Sequence, residues 1–308
     1  MVSATGIGQV DLAILEACEA SGATLGSVVR CETVLDHLHQ HRAIGPRLAY
    51  ERLCDLARPW VLQLGLVDFV GHLGSPHDPP ANPRFTECCL SRLGEAALAA
   101  ERGEIGSLPI GLINGTTHVG GTSPPLDPNK TVAAIRAAAD AVASDDDLLR
   151  LVGLPSFPTG CRVDADMAKV ASGDEVDLIL SARINQDDRV LTISHLPPGS
   201  SAEEVEEAIY RLLLRPGEGT TSSQRVQEPL PIRALYNESA KRQTRIVVHL
   251  EPSGDSAAII AHIEQLQPVR KTTRVRFERP LVDLLREAAA DRKGLEERLA
   301  ITVPAARP

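Results

Sequence analysis

Several groups of residues in this sequence have the types and spacing for chemistry. His37, His39 and His41 lie in HLHQH, where residues 37 and 41 share a helix face at the i, i+4 spacing of a two-histidine metal site. No carboxylate or cysteine of matching spacing follows, so a solvated or half-buried histidine cluster competes with the metal reading. Asp145, Asp146 and Asp147, and the pair Asp164 and Asp166, form carboxylate clusters of the magnesium-holding kind, yet they also suit a helix start and a loop. GIGQV has too few glycines for a nucleotide loop. Cys18, Cys31, Cys54, Cys88, Cys89 and Cys161 show no CxxC spacing and read as reduced, buried thiols. RKTTRVRFER (270–279) holds five basic residues, fitting either a nucleic-acid face or the wet side of a sheet. No metal and no cofactor is expected. That leaves Arg84 and Phe85 in ANPRFTECCL, a cation beside a bare phenyl ring just after a proline-rich loop.

The elements that must position these residues follow from periodicity. Residues 10–22, 25–41 and 46–60 carry apolar positions at helical spacing, and the short apolar stretch WVLQLGLVDFVGHLG after them suggests a helix-turn-helix or winged-helix arrangement. HDPPANP (77–83) is a loop because its prolines remove backbone donors. A helix is expected from about Thr86 to Arg102, and NKTVAAIRAAADAVAS (129–144) is amphipathic. Further on, VDLILSARIN (176–185) and RVLTISHLP (189–197) alternate as two strands of a hairpin. Ser201 and Glu204 then stand in capping-box spacing before another helix. Strands at RQTRIVVHLEP and RKTTRVRFER, a helix at DSAAIIAHIEQL and a charged helix over 280–299 complete an α+β pattern. GEGTTSSQ (217–224) is the best candidate flexible loop.

At 308 residues with 43% apolar content the chain can fill a sizeable core, and a formal charge of −9 weighs against a surface that coats nucleic acid everywhere. Aromatic residues make up only 3%, which leaves little for base-stacking platforms. No membrane-spanning run and no signal peptide are read, so a cytoplasmic location is expected, nucleoid-associated if the chain binds DNA.

The segments RPW (58–60), LVDFVGHLGSPHDPPANPRFTECCL (66–90), LPIGLINGTTHVGG (108–121), SPPLDPNKTV (123–132), FPTG (157–160) and ISHLPPG (193–199) fall in the order and spacing of segments in the A subunit of bacterial DNA gyrase and its topoisomerase IV counterpart. This resemblance spans about residues 10–290 and implies a winged-helix domain over 1–105, a tower-like α+β domain over 106–280 and a short coiled-coil stub over 281–308. In that family a tyrosine follows the arginine of this stretch and its hydroxyl attacks a DNA phosphodiester, chemistry that needs an ionisable oxygen. Phe85 holds that position here and Arg84 is retained, so no catalytic residue is assigned.

Other expected features are also altered. The Arg-Asp-Gly-Leu-Lys-Pro stretch ahead of the first helices is not found, and the His-Pro-His-Gly-Asp motif corresponds to residues 42–46, which keep only Gly45. In the basic recognition helix Arg30 remains, while Glu32 and Asp36 add charge of the wrong sign for phosphate. Arg30, Arg42, Arg47 and Arg84 are the residues the resemblance offers for a phosphate path. Leu108, before Pro109, is the candidate aliphatic wedge between base pairs, with a buried loop-end leucine as the equal alternative.

The function implied is a catalytically inactive A-subunit-like homodimer that binds duplex DNA without cleaving it, modulating DNA topology or topoisomerases. One alternative is a protein-interaction decoy or regulator of gyrase that binds either of the two gyrase subunits, A or B, and no DNA. A second is a component of a topoisomerase heteromer in which another chain bears the tyrosine.

Overall fold

The computed structural model describes residues 4–76, 78–118, 121–140, 143–213, 230–240, 243–292 and 294–303, so the loop expected at 217–224 lies outside the described residues. Helices and antiparallel sheets alternate along the chain in an α+β arrangement. The buried apolar side chains fall into three clusters.

The first cluster is built by α1 (Gln9–Ala20), β1 (Val29–Arg30), α2 (Cys31–His41), α3 (Pro46–Asp55), β2 (Val67–Val70), β3 (Glu87–Leu90), α4 (Arg92–Glu101) and α5 (Ile110–Asn114). β3 lies between β1 and β2, with Val29 opposite Cys88 and Phe69 opposite Cys88 on its other side. Because side chains alternate across a strand, Val29, Cys88 and Phe69 face the core while Arg30, Glu87 and Val70 form a row on the outer face. The expected helix from Thr86 to Arg102 is thus a strand followed by a helix. Ser91 makes the break: its hydroxyl accepts from Gly94 N at 3.1 Å and donates to the Gly65 carbonyl at 3.0 Å. Gly94 lets α4 sit directly on that loop, since a Cβ there would come within 2.1 Å of Leu66 O. Likewise the helix expected over 46–60 stops at Asp55, and the RPW segment forms a turn after it.

The second cluster takes β4 (Thr116–His118), β5 (Gly121–Ser123), α6 (Pro128–Ala139), α7 (Asp145–Val152), β6 (Arg162–Asp164), α8 (Met167–Ser172) and β7 (Val176–Ser181). A third cluster then interrupts it: β8 (Arg183–Asp187), β9 (Val190–Ser194), α9 (Ala202–Leu213), β10 (Ile232–Asn237), β11 (Ile246–Leu250) and α10 (Ser256–Ile263). The chain returns to the second cluster through β12 (Arg270–Val275), α11 (Leu281–Ala290) and α12 (Leu295–Ile301). β12 pairs with β7, whereas β8, β9, β11 and β10 make a separate four-stranded sheet.

Two further expectations need correction. The strand read over 176–185 is two strands in different sheets, because the buried Ala182, whose amide donates to Val269 O at 2.8 Å, passes the chain from β7 to β8. The single charged helix read over 280–299 is the pair α11 and α12, broken at Gly294, whose φ of 63° lies in the left-handed region. Both pack into the second core through Leu281, Leu285, Leu295 and Leu299. The buried Arg298 adds a link, donating to Ser107 O and Asp291 O.

Candidate functional site

The loop 78–86 places Arg84 and Phe85 on the surface by a short chain of local bonds. Pro83 opens a 3-10 turn over Pro83–Phe85, Asn82 caps it by accepting from Arg84 N at 3.1 Å, and Phe85 N donates to Asn82 O at 2.9 Å. Thr86 then turns inward, 1% exposed, and its carbonyl accepts from Cys31 N at 3.0 Å. Gly71, at φ 107°, lies against this turn, where a Cβ would meet Phe85 O at 3.3 Å. With backbone beneath it, the Phe85 ring is 80% exposed.

Arg84 points along the same face, but its Nε donates to Glu32 Oε1 at 2.8 Å, and this bond holds the guanidinium above its ordinary pKa. Arg42 pairs with Glu16 at 3.2 Å, and Arg47 with Glu51 at 3.0 Å. Arg30 ends β1 on the outer sheet face directly across from Glu87. Arg30 and Arg84 therefore share the start of α2, while Arg42 stands at its far end, roughly 15 Å along the helix axis. The four arginines do not converge on one groove, and three of them are already neutralised by carboxylates. Residues 1–113 carry thirteen Asp and Glu against eight Arg and no Lys.

Leu108 is 3% exposed within the first core, and its amide donates to Ala4 O at 3.0 Å. It presents no aliphatic edge at the surface of this structure. His37 and His41 lie with ring centroids 4.5 Å apart and their planes tilted by 51°, and among the described residues no group of three or more metal-ligating side chains assembles. Asp147 and Ser144 cap α7 reciprocally, which lowers the Asp147 pKa, and Asp166 caps α8 through Ala168 N at 3.0 Å. In β12, Arg274 is bound to Asp177 at 3.0 Å across the sheet.

One neighbour carries no signal in the sequence. Tyr50, 35 positions before Phe85, brings its hydroxyl 3.1 Å from Thr86 Oγ1 and donates to Ala81 O. Burial pushes its pKa up, so it stays a neutral phenol committed to a carbonyl and is poorly suited to attack. Tyr210 and Tyr236 lie in α9 and β10, part of the third cluster. Behind the same turn, Cys31 is held above its ordinary pKa by a bond to Cys88 and by burial, Cys88 by Cys18, and Cys54 is pushed up to about 12 by burial.

A second feature invisible in the sequence is a cleft of about 1740 Å³ bordered by all three clusters. On one side runs a ladder of charges: Arg52 grips Asp11 with two of its three nitrogens at 2.7 to 3.0 Å, Asp55 receives the third at 3.5 Å and Arg58 at 2.9 Å, and Arg58 lies 5.9 Å above the Trp60 ring. On the other side His195 adopts φ 52°, unusual for a residue with a side chain, with its ring against Gly160 and Nδ1 2.9 Å from Ser194 Oγ. Burial, then Arg183, lowers the His195 pKa. The FPTG and ISHLPPG segments thus meet here, and Asn114 of the N-G segment bonds both ways with Leu64, at 2.8 and 2.9 Å.

No family model matches the chain. Among curated proteins it is 26% identical over 260 residues to the DNA gyrase A subunit of Thermotoga maritima, covering 75% of this chain and 31% of that protein. It is 25% identical over 257 residues to the DNA gyrase A subunit of Kosmotoga olearia, covering 74% and 30%. The DNA topoisomerase 4 A subunit of Staphylococcus epidermidis is 29% identical over 181 residues, covering 50% and 23%. The chain spans under a third of the length of these relatives. Its homologues are accordingly the A subunits of bacterial DNA gyrase and topoisomerase IV, and it is an A-subunit-like relative of the type IIA topoisomerases.

Proposed function

We propose that this chain is a non-cleaving relative of the topoisomerase A subunits, which acts on DNA topology or on topoisomerases by binding through its Arg84–Phe85 face. The observation that carries the reading is the solvent-facing phenyl ring of Phe85, 80% exposed where the family's nucleophile would stand. Transesterification needs an oxygen that can ionise at that point, and the neighbouring Tyr50 hydroxyl is occupied. Incubation with supercoiled plasmid, with and without a type II B subunit, followed by denaturation, should leave no protein on the DNA. Recovery of a covalent adduct would end the reading.

Two ligands suit a face that binds without cutting. Duplex DNA, held between the protomers of a homodimer, is supported by the kinship to DNA gyrase and DNA topoisomerase 4 and by the exposed Arg30 and Arg84. A protein ligand is supported by the carboxylates that engage Arg42, Arg47 and Arg84. A gel-shift titration across salt separates them. Phosphate binding weakens steeply as salt rises, whereas a protein-docking face leaves DNA unshifted at every salt concentration.

A further inference from the structure

We infer that the Arg84–Phe85 face docks a protein whose surface is rich in lysine and arginine around an apolar socket. The inference rests on the non-cleaving reading and names its ligand. Buried aromatic anchors ringed by polar groups are the usual energetic centre of a protein interface, and this face supplies the anchor. Phe85 is the most exposed large apolar side chain among the described residues, and Val70, 51% exposed, stands beside Glu87 on the outer sheet face. Gly71 links the two, since it follows Val70 and lies under the Phe85 carbonyl.

Charge then selects the partner. Glu32 takes Arg84 at 2.8 Å, and Asp36, one helical turn further along α2, adds to the negative field at that guanidinium. Glu87 faces Arg30 across the strands, while Asp68 is exposed on the same side of β2 as Val70. Four carboxylates thus surround two arginines. A duplex would meet excess negative charge here, and each phosphate contact to Arg84 would compete with Glu32. A basic protein surface gains on both counts, with its cations meeting Glu32, Asp36 and Asp68 and its socket covering the phenyl ring.

The chain has four phenylalanines, so labelling with ring-13C phenylalanine gives four resolvable ring environments, of which the 1% exposed Phe277 is an internal control. The probe is the peptide acetyl-Lys-Lys-Leu-Leu-Leu-Lys-Lys-amide, titrated against an all-lysine heptamer and a 20-base-pair duplex. The leucine peptide should move the Phe85 ring signal and leave Phe277 in place, the all-lysine peptide should do so at least tenfold more weakly, Asp36→Lys should cut the affinity read from that signal about tenfold, and Phe85→Ala should cut it about tenfold by titration calorimetry. An unmoved Phe85 signal at saturating peptide overturns the inference. So does a Phe85 shift produced by the duplex alone, which returns the face to DNA, or one that grows with protein concentration in the absence of peptide, which assigns it to a second copy. A covalent DNA adduct would instead remove the parent reading, so the two failures are distinguishable.

Discussion

The outer face around Phe85 and the cleft between the three clusters use the same residue types to different ends. On the face, arginine–carboxylate pairs are solvated and single, as in Arg84–Glu32 with the arginine side chain 70% exposed. In the cleft, Asp11, Arg52, Asp55 and Arg58 form a continuous partly buried ladder. Exposed pairs contribute little because water and salt compete for both partners, whereas multiple charge-assisted bonds with restricted water access hold their elements together. The face therefore remains free to exchange its partners, and the ladder is a structural joint between α1 and α3. His195, with its left-handed backbone at φ 52°, sits on the opposite wall of the cleft, where FPTG meets ISHLPPG.

The largest effect expected bears on what lies behind the face. All six cysteines are buried, and the thiols of Cys31, Cys54 and Cys88 are held above their ordinary pKa. Ellman's reagent at pH 8 should react with the native chain on the order of a hundredfold more slowly than with the urea-unfolded chain, because reaction must wait for opening. Rapid labelling of Cys31 or Cys88 would show that the layer under Phe85 is open and would undo the contrast.

Arg52→Ala in the cleft should lower unfolding free energy by about 2 kcal/mol, the scale of lost hydrogen bonds between charged groups, read from the midpoint of a urea titration. The matching Arg84→Ala should leave that midpoint where it was. Equal responses would erase the distinction between joint and face.

A smaller effect concerns His195. Its folded-state pKa lies below the ordinary imidazole value of about 6.5, so the fold favours the neutral ring. Stability from this group is fully present above that value and is lost as pH falls through and below it. His195→Asn, which tolerates the left-handed backbone, should flatten the change in urea midpoint between pH 7.5 and 5.5. An unchanged pH profile would mean the ring is not shielded in the cleft. Phe85→Ala should be the mildest, with no measurable loss of stability, since the ring touches little; a clear loss would mean that it is packed.

The chain's own letters determined a good deal. Helical spacing marks α1, α2, α3 and α6, period-two alternation marks β9 and β12, and Ser201 with Glu204 announces the start of α9, where they bond reciprocally at 3.1 Å. These signals are local, so they survive without knowledge of the fold. The replacement of an oxygen by a phenyl edge at position 85 is equally legible, because a missing functional group needs no geometry to be noticed. What lay beyond reach depended on contacts between distant residues. ECCL reads as the beginning of a helix because its role as the central strand depends on Val29 and Phe69, far away in sequence. Leu108 reads the same as a wedge or as core until the surrounding elements close over it. Tyr50 beside Thr86, the carboxylates on Arg42, Arg47 and Arg84, and the cleft ladder are likewise pairings that only tertiary packing decides, since ion pairs and exposure belong to positions in space and not to residue types.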